Sequence, residues 1–470
     1  MELMIPLSSQ SKTPMYEQIY QYIKKEIRQG NLRAKAKLPS TRTLADHLNI
    51  SRSTAQMAYE QLLSEGYIES EPCRGYFVAA IEELVEVKES PKYPFVGQEP
   101  EKEEGFLIDF SPRGIDLDSF PFNIWRKISK NILVTDNKAL FLNGDPQGEY
   151  ALREAIRSYL HSARGVRCSA DQIIVGAGNE YLLMLLSLVL GRERVIAMEN
   201  PTYRQAYRVL NSQGHMVIPV EIDKAGMSVT DLRKKGKANI AYVMPANQNP
   251  MGIVMPIKRR QELLAWADEE EGRFLIEDDY DSEFRYKGKP IPALQGMDQR
   301  GKVIYIGTFS QSIAPAIRVG FLVLPEVLME RYRQYAGFFS STVSRIDQNI
   351  LYQFLTEGHY ERHLNRMRAI YKGKHDCLLT ELKDFEQSFE IGGEYAGLHV
   401  LLQYKKGSSE QTLAEQAAQA GVKVYGLSRY FIHPDHHPYP STLVLGYASL
   451  SEKEIRQGID ILRRAWKIEE

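Results

Sequence analysis

Hydroxyl and guanidinium side chains follow an apolar run in the stretch Val303–Arg318 (VIYIGTFSQSIAPAIR). The run Val303–Ile306 predicts a buried strand, and Thr308, Ser310 and Arg318 come after it in a short loop. Small polar residues and an arginine at the end of a strand can bind an anion such as a phosphate. An ordinary strand end would give the same pattern, so the hypothesis needs support from elsewhere in the chain.

Two other segments support it. Phe274–Tyr280 (FLIEDDY) is a second buried-strand pattern, and it ends in acidic residues and a tyrosine. Gly176–Asn179 (GAGN) is a glycine turn between a predicted strand, 173–175, and a predicted helix, 180–190. Free backbone N–H groups at such a helix N-terminus favour a phosphate, although a plain strand-to-helix turn has the same composition.

Three further candidate residues lie in loops. Tyr203 comes just after the predicted strand 195–198, where it could stack on a flat ligand or simply pack on its neighbours. Asn247 lies in the loop PANQNPMG that follows the predicted strand 240–244. Arg429, in the loop GLSR, could bind a carboxylate through two parallel hydrogen bonds or be a surface charge.

The order of predicted elements explains how these residues could meet. Strands and helices alternate through residues 173–324, which predicts an α/β domain with a mostly parallel sheet flanked by helices. Ligands of such sheets bind at the carboxyl ends of the strands, where the candidates lie. Beyond residue 325 the sequence predicts a long helical region, 327–371, and then a smaller α+β unit. The turn-rich stretch 108–125 is expected to be irregular and to lie against other elements near the site.

The first eighty residues have a different pattern, with helices followed by two strands. A glycine that ends a helix, serines that cap helices and a turn containing Pro72 and Gly75 mark the boundaries. The predicted helices are 14–30, 41–48 and 51–66, and the predicted strands are 67–70 and 76–79. Two short helices joined by a tight turn, followed by a hairpin, predict a winged helix-turn-helix.

Five residues of this region are placed to bind DNA. Arg42, Arg52, Ser53 and Thr54 lie at the starts of the second and third helices, where side chains and helix N-termini can meet phosphates and base edges. Arg74 lies at the tip of the hairpin and suits a minor-groove or backbone contact. Each arginine taken alone could be a solvated surface charge, and the bases read are not deducible.

Composition separates the chain into three parts. Residues 81–108 hold 8 Glu and 3 Lys with several prolines and little periodicity, which predicts an extended linker. We therefore expect a winged-helix domain at residues 1–79, an acidic linker at 80–107 and a large domain at 108–470. The net charge of −1 indicates no overall attraction to nucleic acid or membrane.

The compartment also follows from composition. Cys73, Cys168 and Cys377 are odd in number and far apart, without the CxxC or histidine spacing of a metal site, which predicts free thiols in a reducing compartment. The first ten residues lack the pattern of a signal peptide, and the most apolar run, 181–190, is too short to span a membrane. We expect a cytoplasmic protein with no membrane partner and no metal.

The quoted motifs resemble known families. LPSTRTLADHLNISRSTAQMAYEQLLSEGYI and RGYFV, within residues 14–79, are similar to the GntR group of bacterial winged-helix regulators. FLIEDDY and VIYIGTFSQSIAPAIR resemble the coenzyme-binding strands of fold-type I aminotransferases, which use pyridoxal phosphate (PLP). The combination resembles the MocR/GabR-type transcriptional regulators, which implies an aminotransferase-like domain that senses PLP or an amino-acid-like effector. It also implies a head-to-tail homodimer that binds a double-stranded DNA operator.

The resemblance assigns roles to single residues. Asp278 would pair with the pyridine nitrogen, Tyr280 would meet the ring hydroxyl, Tyr203 would stack on the ring and Arg429 would clamp the effector carboxylate. The full set of implied coenzyme-binding positions is Gly178, Asn179, Tyr203, Asn247, Asp278, Tyr280, Thr308, Ser310, Gln311 and Arg318.

Gln311 departs from the aminotransferase pattern, because the family has its Schiff-base lysine there. A glutamine amide is neither a nucleophile nor a base, so transamination would lose its covalent anchor and its proton carrier. PLP could still bind non-covalently. Gln205 is a second departure, at a position where a related regulator has an arginine near its ligand.

Two alternatives remain beside a ligand-responsive regulator. One is an active aminotransferase with a DNA-binding domain attached, which Gln311 disfavours. The other is a regulator whose large domain is only a dimerisation platform. Retention of Asp278, Tyr280, Arg318 and Arg429 disfavours the platform, because we expect each to be a buried polar or charged group that needs a partner.

Overall fold

The structure is a computed structural model that describes residues 4–8, 11, 13–80, 105–134, 138–286, 291–393, 396–433 and 439–468. The chain divides into two compact units, Met1–Glu103 and Glu104–Glu470. Most of the predicted acidic linker, residues 81–104, lies outside the described residues.

The N-terminal unit contains three helices and a hairpin: α1 (Met15–Arg28), α2 (Thr41–Leu48), α3 (Arg52–Ser64), β1 (Ile68–Glu71) and β2 (Gly75–Val78). Serine caps set the starts of α2 and α3, as the sequence predicted. Ser40 accepts from the Thr43 N–H and Ser51 from the Thr54 N–H, each at 3.1 Å, which satisfies one otherwise free donor of each helix.

Apolar residues of all three helices and both strands form one core. Ile23, Ala55, Tyr59 and Leu62 are among its fully buried members. The hairpin is also wider than the sequence indicated, because residues 35–38 pair with β2 through main-chain hydrogen bonds. This third strand-like segment, which sequence analysis missed, brings the exposed Lys35 and Lys37 beside the wing.

The C-terminal unit alternates strands and helices up to residue 323 and ends in a smaller α+β unit. Its first elements are β3 (Ile108–Asp109), α4 (Phe122–Val134), α5 (Tyr150–Arg164), β4 (Ile173–Gly176), α6 (Asn179–Leu190), β5 (Val195–Asn200), α7 (Arg204–Ser212), β6 (Met216–Asp223), β7 (Gly226–Met227), α8 (Val229–Lys235), β8 (Ile240–Val243), α9 (Ile257–Asp268), β9 (Phe274–Asp279), β10 (Val303–Thr308) and β11 (Gly320–Val323). The later ones are α10 (Glu326–Tyr335), α11 (Arg345–Thr356), α12 (His359–Glu381), β12 (Phe389–Gly392), β13 (His399–Tyr404), α13 (Glu410–Gln419), β14 (Val422–Lys423), β15 (Tyr425–Gly426), β16 (Thr442–Gly446) and α14 (Glu452–Ala465).

The main sheet has the order β4-β11-β10-β9-β8-β5-β6-β7. The neighbours from β10 through β6 are parallel, whereas β4, β11 and β7 run antiparallel to their neighbours. The prediction of a mostly parallel sheet is therefore confirmed, with a mixed edge. Since parallel strands share one carboxyl edge, the loops after β5, β8, β9 and β10 open on the same side.

Helices cover both faces of this sheet. On β10, Ile304 and Ile306 join the core under α6, α7 and α10, whereas Tyr305 joins the core under α4, α5 and α11. This alternation follows from the two-residue period of a strand. Burial on both faces explains why the strands read as continuous apolar runs.

The smaller unit is an antiparallel sheet of order β12-β13-β16-β15, which packs with α12, α13 and α14. β14 pairs in parallel with β3, which ties residues 108–109 to this unit. Two expectations need correction. The region 327–371 contains three helices separated by turns, and the stretch 108–125 is irregular only over residues 110–121, because β3 covers Ile108–Asp109 and α4 begins at Phe122. Within the described part of the chain, no helix is long and apolar enough to cross a membrane.

Candidate functional site

A cavity of about 620 Å³ opens at the carboxyl edge of the main sheet. It collects residues from loops that are far apart in the sequence, as the sheet topology predicts. Of the predicted positions, it is lined by Asn179, Tyr203, Tyr280, Thr308, Ser310, Gln311, Arg318 and Arg429. Gly178, Asn247 and Asp278 lie immediately behind this lining, each in contact with one of its members.

Asp278 is a buried acid without a cationic partner among the described residues. Its side chain is 3% exposed and accepts hydrogen bonds from the Tyr242 hydroxyl and from Asn179 Nδ2, the latter at 3.3 Å. Burial raises the pKa of Asp278 to about 6, while the two hydrogen bonds oppose this shift. A protonated pyridine nitrogen would supply the missing positive charge.

The neighbouring acids of β9 have hydrogen-bond or ion-pair partners within the protein. Strand alternation turns Glu277 and Asp279 to the opposite face from Asp278. Asp279 pairs with Arg164 at 2.8 Å, and Glu277 accepts two backbone N–H bonds at 2.8 Å from the segment at Leu294. Burial nevertheless raises the pKa of Glu277 to about 7, so an incompletely compensated charge is not confined to the acid that faces the cavity.

The β4–α6 turn and the loop after β10 form a polar end of the cavity. Gly178 has φ +85°, and a Cβ there would lie 2.8 Å from the Arg318 guanidinium, so only glycine fits this turn. No side chain caps the N-terminus of α6. Thr308 Oγ1 donates to the Ser310 hydroxyl and accepts from the Ser310 N–H, each at 3.1 Å. Free N–H groups, two hydroxyls and a guanidinium suit a phosphate.

Arg318 is held at this end by an acid. Its Nη2 lies 2.8 Å from Glu180 Oε2. Burial would raise the pKa of Glu180, but the hydrogen bond from Arg318 keeps that pKa below its ordinary value. The Arg318 side chain is 52% exposed, and Arg429 is also exposed. The expectation that both arginines are buried charges is therefore wrong, because they lie at the cavity mouth where water solvates them.

Hydrogen bonds join Asn247 and Tyr280, two of the residues expected near the coenzyme ring. Asn247 Nδ2 donates to the Tyr280 hydroxyl at 3.2 Å and to Asp281 Oδ2 at 2.8 Å. Tyr203 precedes α7 and lines the cavity. Gln311 also lines it, and its Oε1 is buried without a hydrogen-bond donor among the described residues. The arrangement fits PLP at every position except the covalent anchor.

In the N-terminal unit, Arg42, Arg52 and Ser53 are exposed at the starts of α2 and α3. Thr54 is partly buried, and its hydroxyl lies 2.8 Å from the Ser51 hydroxyl. Thr54 therefore contributes to the helix cap and is only partly available at the surface. Arg74 projects from the β1–β2 turn, where it pairs with Glu71 and keeps 70% of its side chain exposed. The predicted residues thus occupy the helix starts and the wing.

Comparisons with known proteins identify both units. A family model for bacterial regulatory proteins of the gntR family matches residues 15–78, and one for aminotransferases of class I and II matches residues 116–462. The chain is 40% identical over 461 residues to the HTH-type transcriptional regulator YhdI of Bacillus subtilis, covering 98% of this chain and 97% of that protein. It is 32% identical over 480 residues to the probable rhizopine catabolism regulatory protein MocR of Rhizobium meliloti, covering 98% and 96%. The chain belongs to the MocR-type transcriptional regulators.

The large domain of this MocR-type regulator is similar to solved aminotransferases. A kynurenine aminotransferase of Pyrococcus horikoshii, in complex with PMP, superposes with a TM-score of 0.69 at 26% identity, covering 78% of this chain and 91% of that one. The aminotransferase fold implies a PLP site, and the cavity lies at the corresponding carboxyl edge of the sheet.

Sequence analysis missed two arginines of the cavity. Arg113 reaches it from the irregular segment before α4, and Arg204 follows Tyr203 at the start of α7. The turn-rich stretch was expected near the site, but no local pattern marked Arg113 itself. Arg204 could have been suspected from its neighbour Tyr203. Together with Arg318 and Arg429, four arginines therefore line the described part of this cavity.

Asp278→Asn is expected to stabilise the ligand-free protein and to weaken coenzyme binding. The native state holds the Asp278 proton more tightly than the unfolded state, because burial raises its pKa from 3.8 to about 6. The contribution of Asp278 to wild-type stability should therefore fall as the pH rises from about 4 to about 6, by roughly 3 kcal/mol for about two pKa units.

Urea unfolding of both proteins at pH 5 and pH 8 checks this expectation. The advantage of Asp278→Asn should be larger at pH 8 than at pH 5. Glu330→Gln, which changes an exposed acid of α10, is the matched control and should show no such difference. An equal advantage at both pH values would contradict the assignment of an uncompensated buried charge.

Proposed function

We propose that this regulator binds PLP, or a closely related coenzyme form, without a covalent bond, and that occupancy of the cavity changes its affinity for an operator. An amino-acid-like effector would place its carboxylate at Arg429. The observation that carries the proposal is Gln311, a non-nucleophilic residue in a cavity that otherwise has the groups a PLP site needs. DNA binding places its action in the cytoplasm.

Different residues would bind different parts of the coenzyme. The α6 N-terminus, Thr308, Ser310 and Arg318 would hold the phosphate, Asp278 the ring nitrogen and Tyr280 the ring hydroxyl. When bound to an enzyme, PLP serves as an electron sink for bonds at an amine carbon. Here Gln311 can neither attack the coenzyme nor carry a proton, so the proposed role of the cavity is binding.

The two alternatives make different demands on these residues. An aminotransferase needs a nucleophilic base, and Gln311 cannot act as one. A dimerisation platform has no use for Asp278, whose buried charge lowers stability unless a cation joins it. A ligand-binding regulator accounts for both residues. A platform without a ligand remains the second candidate.

Arg52→Ala is expected to weaken operator binding about tenfold and to lower its salt dependence, because a cation at a helix start would be lost from the DNA surface. A gel-shift titration with an operator fragment selected from random DNA measures this. Lys25→Ala, which removes an exposed positive charge from α1, is the matched control and should bind like wild type. Wild-type affinity of Arg52→Ala would remove this residue from the DNA surface.

PLP is expected to change the absorbance spectrum of the purified protein saturably, without becoming attached. After borohydride treatment, intact mass spectrometry should find no mass gain on the wild-type chain. Absence of a saturable change would favour the dimerisation platform. A covalent gain mapped to a lysine would contradict the non-covalent binding proposed from Gln311.

We also propose that the protein is a homodimer in head-to-tail arrangement. Large apolar side chains remain exposed in the C-terminal unit, including Phe141, Leu142 and Phe338, which are 74%, 67% and 72% exposed. Exposed apolar groups of this size favour an interface. Light scattering at micromolar concentration should give twice the chain mass of 53.8 kDa. A monomer would contradict the proposal.

A further inference from the structure

Hydrogen bonds fix the backbone beside Gln311, whereas the side-chain oxygen of Gln311 receives no hydrogen bond from the described residues. Ser312, the next residue, bonds the Tyr360 hydroxyl through its own hydroxyl and His363 Nε2 through its carbonyl, both at 2.9 Å. These two hydrogen bonds hold the backbone next to Gln311 from the side that faces away from the cavity. Gln311 Oε1 is buried and has no donor among the described residues. A buried acceptor left without a donor lowers stability unless a ligand supplies one.

Other unpaired acceptors surround the same cavity. Asn179 Oδ1, Asn249 Oδ1 and Asp281 Oδ1 are buried and lack donors among the described residues, and all three residues line the cavity. Asp281 is itself 3% exposed, and burial raises its pKa well above the ordinary value. Among the buried unpaired atoms of the described cavity lining, these acceptors, with Gln311 Oε1, outnumber the one donor, Arg204 Nε, whereas Arg318 and Arg429 are exposed.

We propose that this site selects the amine form of the coenzyme, pyridoxamine 5′-phosphate, over the aldehyde form, PLP. This inference rests on the proposed coenzyme site and names the form that the site prefers. The two forms differ only at the C4′ substituent, which is an ammonium group in one and an aldehyde in the other. The position that would face C4′ is the lysine position of the family, where this chain has Gln311.

Electrostatics favours the ammonium group. Its three N–H donors can bond Gln311 Oε1 and the acid Asp281, and a hydrogen bond from a cation is roughly twice as strong as a neutral one. An aldehyde oxygen only accepts, so it would leave these oxygens without donors. A lysine at position 311 would react with the aldehyde and repel the ammonium. Gln311 neither reacts with the aldehyde nor repels the ammonium group.

Three probes that differ only at C4′ test the proposal. Isothermal titration of the full-length wild-type protein is carried out with pyridoxamine 5′-phosphate, PLP and pyridoxine 5′-phosphate, which has a neutral hydroxyl. We expect the amine to bind about tenfold or more tightly than the aldehyde, with the alcohol between them. Equal or tighter binding of the aldehyde would contradict the proposed preference for the amine but leave the coenzyme site in place. If none of the three binds, the proposed coenzyme site fails as well.

Two substitutions assign the preference to Gln311. Gln311→Lys should reverse it, with PLP bound covalently after borohydride treatment and the amine weakened. Gln311→Leu keeps a similar volume but removes the acceptor, so the preference should shrink to within about threefold. Circular dichroism and urea unfolding without ligand check that both variants fold. A Gln311→Leu protein that keeps the full preference would overturn the role of this side chain.

Discussion

The ionisation of Asp278 is the constraint on which the coenzyme cavity depends. A carboxylate that is removed from water needs a positive partner or several donors, and Asp278 has only the Tyr242 hydroxyl and the Asn179 amide. Burial raises the pKa of Asp278 to about 6, in keeping with incomplete compensation of its charge. Such a group lowers the stability of the ligand-free protein, and its charge becomes favourable when a cation binds. Local instability of this kind is common where a protein is built to hold a ligand.

The acids of β9 show how a strand can combine structural and binding roles. Asp279 and Glu277 face the interior behind the cavity, where Arg164 pairs with Asp279 and backbone N–H groups from the segment at Leu294 bond Glu277. They fix the strand and its loop. Asp278 faces the other way. A single register shift would exchange these roles, because strand side chains alternate with a period of two.

Gln311 changes the chemistry of the cavity more than its shape. The motif resemblance implies that Gln311 takes the place of the lysine of the enzymes, which is a nucleophile, a base and a positive charge. The amide retains hydrogen bonding and loses the other three properties. Such a cavity would suit the reversible occupancy that the proposed regulation requires. Occupancy can regulate DNA binding only if the ligand binds the DNA-competent and DNA-incompetent arrangements with different affinity.

Local patterns were sufficient for much of this architecture. The serine caps at Ser40 and Ser51, the glycine turn at Gly178 and the apolar runs of the strands predicted the elements, because each depends on interactions within a few residues. The alternation of strands and helices then predicted that the strand ends would converge. Motif resemblance added the roles expected of the residues at those ends.

Tertiary structure decided what depends on contacts between distant segments. Neither the ion pair of Arg164 with Asp279 nor the approach of Arg113 to the cavity has a local signal, since sequence spacing does not encode such proximity. The same holds for the pairing of residues 35–38 with β2. The solvent exposure of the arginines also could not be predicted, because an arginine in a loop beside a strand can be either buried or exposed. The sequence by itself determined the elements and the chemical groups, whereas packing determined which groups are neutralised, which are solvated and which are left for a ligand.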